Sequence, residues 1–330
     1  MQLLVSNFHG TTFLVIYRMV FIMGILLELG AAPAPAPAPA PLPSPSEANA
    51  ILKSGWWNLL LLGSRNICSW HGISCNVAGS ITSIRFPFYT PGIRLATLNL
   101  SAFKNLETLD ASSCGLEGTI PPEIGNLPKL TYIDLSWNAL HGKIPPSLGN
   151  LTQLESLIVS HNYIQGPIPQ NLVFLKSLTL LDLSANKISG TLPMSLSNLT
   201  MLKMLDMSHN LLSGSLKPLS VGRHAWLTTI YLRKNSITGK IPPELGYLRL
   251  LNTLDLSYNN LSGRVPLSLQ NVSDVDLSFN NLNGPIPYGL SEFQLRGNSG
   301  ICSNYSYYQT EFDFKPCPAR NDKVRHNQHK

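Results

Sequence analysis

Six aspartates recur along the chain in one phase, at intervals of one or two repeat lengths: Asp110, Asp134, Asp182, Asp206, Asp255 and Asp276. Carboxylates held close together push one another's pKa values apart, and such pairs serve as acid and base in hydrolases. A second series, Ser113, Trp137, His161, Ala185, His209, Lys234, Tyr258 and Phe279, keeps the same beat and is rich in rings. Trp and Tyr facing water are typical anchors of binding interfaces. Where one copy carries Tyr231, Arg233 and Lys234 in place of Asp, Ser and an uncharged or His residue, with Lys203 and His209 just before, the chemistry suits an acidic side chain or a peptide's terminal carboxylate. A catalytic reading finds no further support. The sequence holds no Gly-rich phosphate loop, nucleophile elbow, HExxH motif or kinase motif set.

These series exist because the chain repeats. The phrase Leu130-Thr-Tyr-Ile133-Asp-Leu135-Ser-Trp-Asn138-Ala-Leu140-His-Gly142-Lys-Ile144-Pro145 recurs with its Asn place at Cys114, Asn138, Asn162, Asn186, Asn210, Asn235, Asn259 and Asn280. The intervals are 24, 24, 24, 24, 25, 24 and 21 residues, and a degenerate copy near Ile81 brings the total to about nine. A period in this range marks a solenoid whose units cannot bury their apolar faces alone. Leu or Ile at the first, fourth, sixth and eleventh places is predicted to point inward. The alternating Ile133-Asp134-Leu135 portion is a short strand with one exposed face. The Asn amide is expected to turn inside and satisfy backbone groups of adjacent coils. Cys114 replaces it in the first good copy, where a thiol donates only weakly. Gly142 to Pro145, Gly166 to Pro169 and Gly239 to Pro242 each supply a turn and a brief extended segment that Pro ends. In this frame Asp-Leu-Ser is ordinary strand text, so the carboxylates form a structural column, one per coil, and no residue is assigned to catalysis.

The repeat pattern resembles the plant-specific class of leucine-rich repeat over roughly residues 81–290. Trp56-Trp57 and Cys68-Ser-Trp70-His-Gly72-Ile-Ser-Cys75 resemble the N-terminal cap of plant receptor-like kinase ectodomains, and Gly297-Asn298-Ser-Gly300-Ile-Cys302 with Cys317 is similar to their C-terminal cap. The resemblance implies an α/β leucine-rich repeat solenoid, a curved right-handed superhelix with a parallel β-sheet on its concave side and disulfide-stapled caps. Open solenoid ends expose core and need such caps, so Cys68 is expected to pair with Cys75 and Cys302 with Cys317. Ligands at opposite ends of a solenoid cannot meet around one zinc, so no metal and no cofactor are assigned. Cys114 reads as a buried ladder residue.

Six Asn-x-Ser/Thr sequons stand at Asn99, Asn150, Asn198, Asn260, Asn271 and Asn304. Asn150 and Asn198 share one repeat phase, on the convex side. Near the N-terminus Met19–Leu27 is apolar and uncharged, too short for the ~20 residues that span a bilayer. It reads as a secretory signal within residues 1–32, with an uncleaved anchor as the alternative. Ala-Pro alternation makes residues 33–46 a polyproline-type spacer. Ser44-Pro45-Ser46-Glu47 then supplies an N-cap, a Pro at the first helical position and a capping-box Glu, predicting a short helix. The remaining boundaries are an N-terminal cap over 47–80, repeats over 81–290, a C-terminal cap over 291–319 and a basic tail over 320–330.

That tail disposes of another function class. The chain carries 24 Lys+Arg against 18 Asp+Glu among 330 residues, a formal charge of +6. The segment Lys315–Lys330 holds five basic residues and one acid, or +4 of that excess. No nucleic-acid surface runs along the chain. Signal, cap cysteines and sequons agree on a secreted or cell-surface protein. The resemblance implies an extracellular peptide or protein ligand on the concave face, carried by Trp137, His161, His209, Tyr231, Arg233, Lys234, Tyr258 and Phe279, and a possible co-receptor of the same repeat class. After Cys317 the sequence shows neither a membrane span nor a kinase, so this chain alone is not expected to relay a signal inward. The alternative is a secreted polygalacturonase-inhibiting protein, whose relatives usually carry four cap cysteines at each end where this chain has two and two.

Overall fold

The computed structural model describes residues 42–57, 66–86, 89–221, 224–303 and 314–318, all within the compact unit Pro41–Lys330. The signal segment, most of the spacer, Gly222, Arg223, Asn304 and the basic tail lie outside the described residues. The first described element is the helix Pro45–Ser54, with the predicted cap: Ser44 is the N-cap, the reciprocal Ser44–Glu47 capping box is present, and Gly55 closes the helix in the left-handed conformation. Glu47 does a second job. Its Oε1 accepts from the backbone N–H of Ile81 at 3.1 Å, so the carboxylate that caps the helix also ties it to the first repeat strand. It is only 3% exposed, which that set of donors makes tolerable. Behind the helix Trp56, Trp57, Trp70 and Phe86 close the apolar end of the stack, with Phe86 edge-on to Trp56 and Trp57 at 5.3 and 5.2 Å.

Three-residue strands of successive coils hydrogen-bond into a ten-stranded sheet. The cap contributes its first strand, Ile73–Cys75, antiparallel to Ile81–Arg85. From there all pairs are parallel and in register, through Thr108–Asp110, Tyr132–Asp134 and on to Asp274–Asp276. The middle residue of each strand, such as Leu109, Ile133, Leu157 and Leu181, is buried, and its two neighbours lie on the outer face. The carboxylate column is less regular than one per coil. Asp182 is flanked by Ile158 and Asp206, and Tyr231 separates Asp206 from Asp255, so the column breaks into the pairs 110/134, 182/206 and 255/276.

Each coil returns through a second strand and a short 3-10 turn, for example Ala139–Gly142 followed by Pro146–Asn150. Gly142 takes φ 80°, and a Cβ there would meet Thr119 of the preceding coil. The second strands form one run from Ile93–Arg94 to Leu211–Ser213 and another from Thr238–Gly239 to Lys315–Pro316. The junction of the two runs is the irregular coil, where the helix Lys217–Ser220 replaces the usual turn. The backbone N–H groups of Ser236 and Thr238 bridge it, donating to Leu212 and Gly214 at 2.7 Å. His224 of this coil is 1% exposed. It fills the core place held by Leu127, Leu151, Leu175, Leu199 and Leu248 in other coils, three residues before Leu227.

Both expected disulfides form, Cys68–Cys75 and Cys302–Cys317. Cys114 is buried as predicted, its thiol donating to the carbonyls of Ser112 and Phe86 at 3.1 and 3.4 Å. The asparagine ladder also forms as predicted. Asn162 accepts from Leu140 N–H at 2.9 Å and donates to the carbonyls of Leu135, Val159 and Ser160. It runs one rung beyond the predicted last copy. Asn298 accepts from Leu282 N–H and donates to Leu277 and Leu295, so Gly297-Asn298, read as cap, is a ninth copy of the rung.

Candidate functional site

The residue before each rung sits in a conformation that its type does not favour. Ser113, Trp137, His161, Ala185, His209, Lys234, Tyr258 and Phe279 all have φ between 51° and 58°, the left-handed region. Such a conformation costs a non-Gly residue about 1–3 kcal/mol. The coil imposes it: the chain leaves the strand and reverses so that the next side chain, the Asn, points inside. The same turn throws the preceding side chain outward, one per coil, onto the ten-stranded face. The last rung follows Gly297, at φ 72°, where a Cβ would collide with the Phe279 ring.

The outward column also packs on itself. Trp137 and His161 stack with centroids 3.6 Å apart and 10° between their planes. Tyr258 and Phe279 stack at 4.3 Å. Neighbouring coils hold these positions one strand spacing apart, close enough for rings to lean together. The stacks remain accessible, with Trp137 51% and Phe279 39% exposed.

Arg233 is also less free than its sequence suggested. It lies over Tyr258 at 4.5 Å, donates to Ser257 Oγ at 3.1 Å and reaches Asp276 at 3.8 Å. Arg296 approaches Phe279 at 5.5 Å, so the second stack has a guanidinium at each end. Lys234, exposed and 5.9 Å from the Tyr258 centroid, is the more available cation of the two. Tyr231 occupies the aspartate place of its coil, where burial and then Asp206 hold its phenol protonated.

The carboxylates are structural, as expected of strand text. Asp182 Oδ1 accepts from the N–H and Oγ of Ser184, Asp206 from Ser208, and Asp255 from Ser257. Each pins the strand end that delivers the left-handed residue. Burial, with Asp182 beside it, pushes Asp206 up to about 7, and burial likewise raises Asp255. Imidazoles move the other way. Burial lowers His161, and burial followed by Lys234 and Arg233 lowers His209, so both rings are neutral at pH 7. All eight sequence-predicted binding residues therefore lie on the ten-stranded face, in two stacks with a mixed stretch between. Sequence reasoning missed Arg296, Gly297 and the covering of Arg233 by its own coil neighbours. The Gly297-Asn298 pair repeats the ladder spacing at a shortened interval, a signal that the cap motif obscured.

Among the described residues there is no cluster of metal-ligating side chains and no helix long and apolar enough to cross a membrane. What the fold and this face define is a capped repeat solenoid that presents a rigid, ring-rich surface to solvent. The chain belongs to the leucine-rich repeat family: the leucine-rich repeat region matches residues 86–220, and single leucine-rich repeats match 226–248 and 250–272, together more than half of the chain. It is 37% identical over 69 residues to the leucine-rich repeat receptor-like serine/threonine-protein kinase RGI4 of Arabidopsis thaliana, a match covering 21% of this chain and 6% of that protein. Its fold is similar to the ectodomain of the Arabidopsis receptor kinase HAESA, solved with an N-terminally extended IDA peptide hormone (34% identity, TM-score 0.61, 67% of this chain and 37% of that one). A second HAESA structure, with IDA and the co-receptor SERK1, matches at 35% identity and TM-score 0.58 over 63% of this chain and 36% of that one. This chain thus spans little more than a third of the ectodomains it resembles.

Proposed function

We propose that the ten-stranded face binds an extracellular peptide or protein segment, laid across the coils along the outward column. The observation that carries this reading is the column itself: solvent-facing rings and cations held at one backbone conformation in every coil. A half-exposed Trp137 and a Phe279 held between Tyr258 and Arg296 offer ready-made anchors to a partner. The two HAESA structures, with a peptide hormone and with a co-receptor, support the same use. Lys234, assisted by Arg233, suits a ligand carboxylate, although Arg233 must first loosen its contact with Asp276.

An extracellular setting is supported by the two cap disulfides, which persist in oxidising compartments. The sequon residues Asn99, Asn150, Asn198, Asn260 and Asn271 are all exposed and so open to glycosylation. The function is that of a recognition module of the receptor-like kinase type, pairing with a second repeat protein once a ligand is seated. The test is a synthetic library of extended peptides, each made with a free and an amidated C-terminus, binding measured by calorimetry. We expect free-acid peptides to bind at least tenfold tighter than their amides, a difference lost in the R233A/K234A double variant. Equal binding by a W137A/Y258A/F279A triple variant would overturn the assignment of the face. Inhibition of fungal polygalacturonase by the chain would favour the inhibitor class instead.

A further inference from the structure

Along the outward column, rings stack wherever neighbouring coils both supply one, and after Trp137 the sequence of rings is broken twice, by the long side chain of Lys234 and by the single methyl group of Ala185. Trp137 and His161 precede Ala185, and His209 follows it. The register leaves no doubt about adjacency: His161 N–H donates to Ser184 carbonyl at 3.0 Å, and Ala185 N–H to Ser208 carbonyl at 2.9 Å. His161 and His209 are therefore two strand spacings apart, about 9.6 Å. By strand spacing a ring placed midway lies about 4.8 Å from each flanking position, inside the ~4.5–7 Å range at which aromatic pairs attract. One ring fits that interval and two do not.

We infer that Ala185 leaves a one-ring slot between His161 and His209, and that the ligand of this face seats there a planar aromatic side chain bearing a hydrogen-bond donor or a positive charge. The inference rests on the proposed function and names the ligand chemistry that one part of the face selects. The requirement for a donor comes from the strands beside the slot. Asp182 and Asp206 are register partners, and Oδ1 of each is engaged by its own serine, which leaves Oδ2 as acceptor. Burial first, and then repulsion from Asp182 at its side, make Asp206 hard to ionise. An incoming phenol or ammonium relieves that repulsion, whereas a ligand carboxylate adds to it. Asp182 is close enough to act electrostatically on His161, and His161 on His209, so carboxylate and both rings share one locality. Both imidazoles are neutral at pH 7 and so do not repel a cationic ring.

Tyramine, which carries a phenol and an ammonium, is the probe, with butylamine as the ring-free control. Both are titrated into the full chain at pH 7 while the imidazole signals of His161 and His209 are followed by NMR. We expect saturable shifts of both imidazoles with tyramine in the millimolar range, at least tenfold weaker saturation with butylamine, and loss of the tyramine response in A185W. Trp137 already occupies this backbone position two coils earlier, so the large side chain is compatible with the coil. A185G, which keeps the slot open, should bind as the native chain does and serves if A185W fails to fold. Equal responses to tyramine and butylamine, or an unchanged response in A185W, would overturn the slot. Peptide binding that survives A185W intact would overturn the slot and leave the proposed function standing. Failure of all peptides to bind would count against that function, while the tyramine titration still reads the slot.

Discussion

His161 and Asn162 are adjacent in sequence, share one turn and recur with one period, yet they obey opposite rules. The Asn place is filled by Asn in every rung from Asn138 to Asn298, while the place before it holds Ser, Trp, His, Ala, Lys, Tyr, Phe or Gly. Asn162 is 6% exposed and answers four backbone groups of its own and the preceding coil. His161 takes a backbone conformation that the turn dictates, but its side chain leaves the coil. Repetition of the backbone therefore fixes chemistry on the inside and releases it on the outside. That is how a uniform scaffold can carry a specific surface.

The largest way to break this comparison is to remove a rung. Asn162→Leu strands the N–H of Leu140 and the carbonyl of Leu135 in the interior, each worth about 1–3 kcal/mol, so a loss of about 2–5 kcal/mol is expected in denaturant unfolding. A loss under 1 kcal/mol would mean that water or relaxation serves the ladder. A smaller effect is expected where coils touch on the returning side. Gly149 packs so closely on Asn171 that a Cβ would overlap its backbone carbonyl. Gly149→Ala should cost about 1–3 kcal/mol by overpacking, read by the same unfolding curves. The exposed Asn150 beside it should tolerate Ala within about 0.5 kcal/mol.

These contrasts also separate what the sequence made legible. The period, the inward leucines, the Asn ladder, the capping box of Ser44 and Glu47 and both disulfide pairs followed from spacing, resemblance and residue type, because burial and hydrogen bonding leave few choices at those places. The left-handed column was hidden, since Trp, His, Lys, Tyr and Phe carry no preference for that conformation; only Gly297 matches residue to backbone. The stacks were hidden for a related reason. Alignment shows which residues share a phase, but not that rings 4.8 Å apart by strand spacing lean to 3.6 Å. Arg233 was misjudged because its partners Tyr258 and Asp276 lie one and two coils on. His224 was readable from its spacing to Leu227, but the irregular segment around it disguised the phase.

His224 and Asp206 sharpen the comparison through pH. Burial lowers His224 below the ordinary histidine value, and the backbone of Leu199 and Pro218 offsets that only in part. The unfolded chain takes the proton first as pH falls below about 6.5, so stability drops from there toward the folded-state pKa. Asp206, raised to about 7 by burial and then Asp182, acts in reverse. The unfolded carboxylate loses its proton near pH 4 and the folded one only near 7, so its contribution declines as pH rises between them. H224L should flatten the acid side of the stability profile, and D206N should flatten the decline toward neutrality. A profile unchanged by either variant would contradict the burial of that group.

The smallest expected effect tests whether the column belongs to folding at all. Replacing Trp137 or His161 by Ala removes an exposed stack and leaves every rung bond in place, so each single change should cost about 0.5–1.5 kcal/mol, the usual worth of an aromatic pair. A double-mutant cycle isolates that coupling. Coupling near 1 kcal/mol would show that the rings brace each other before any ligand arrives, so that the ligand meets a surface already ordered and loses less entropy on binding. Coupling indistinguishable from zero would mean that the stack orders only with a partner seated on it. In that case the cost of ordering appears in the binding step, and W137A should weaken binding far more than it weakens the fold.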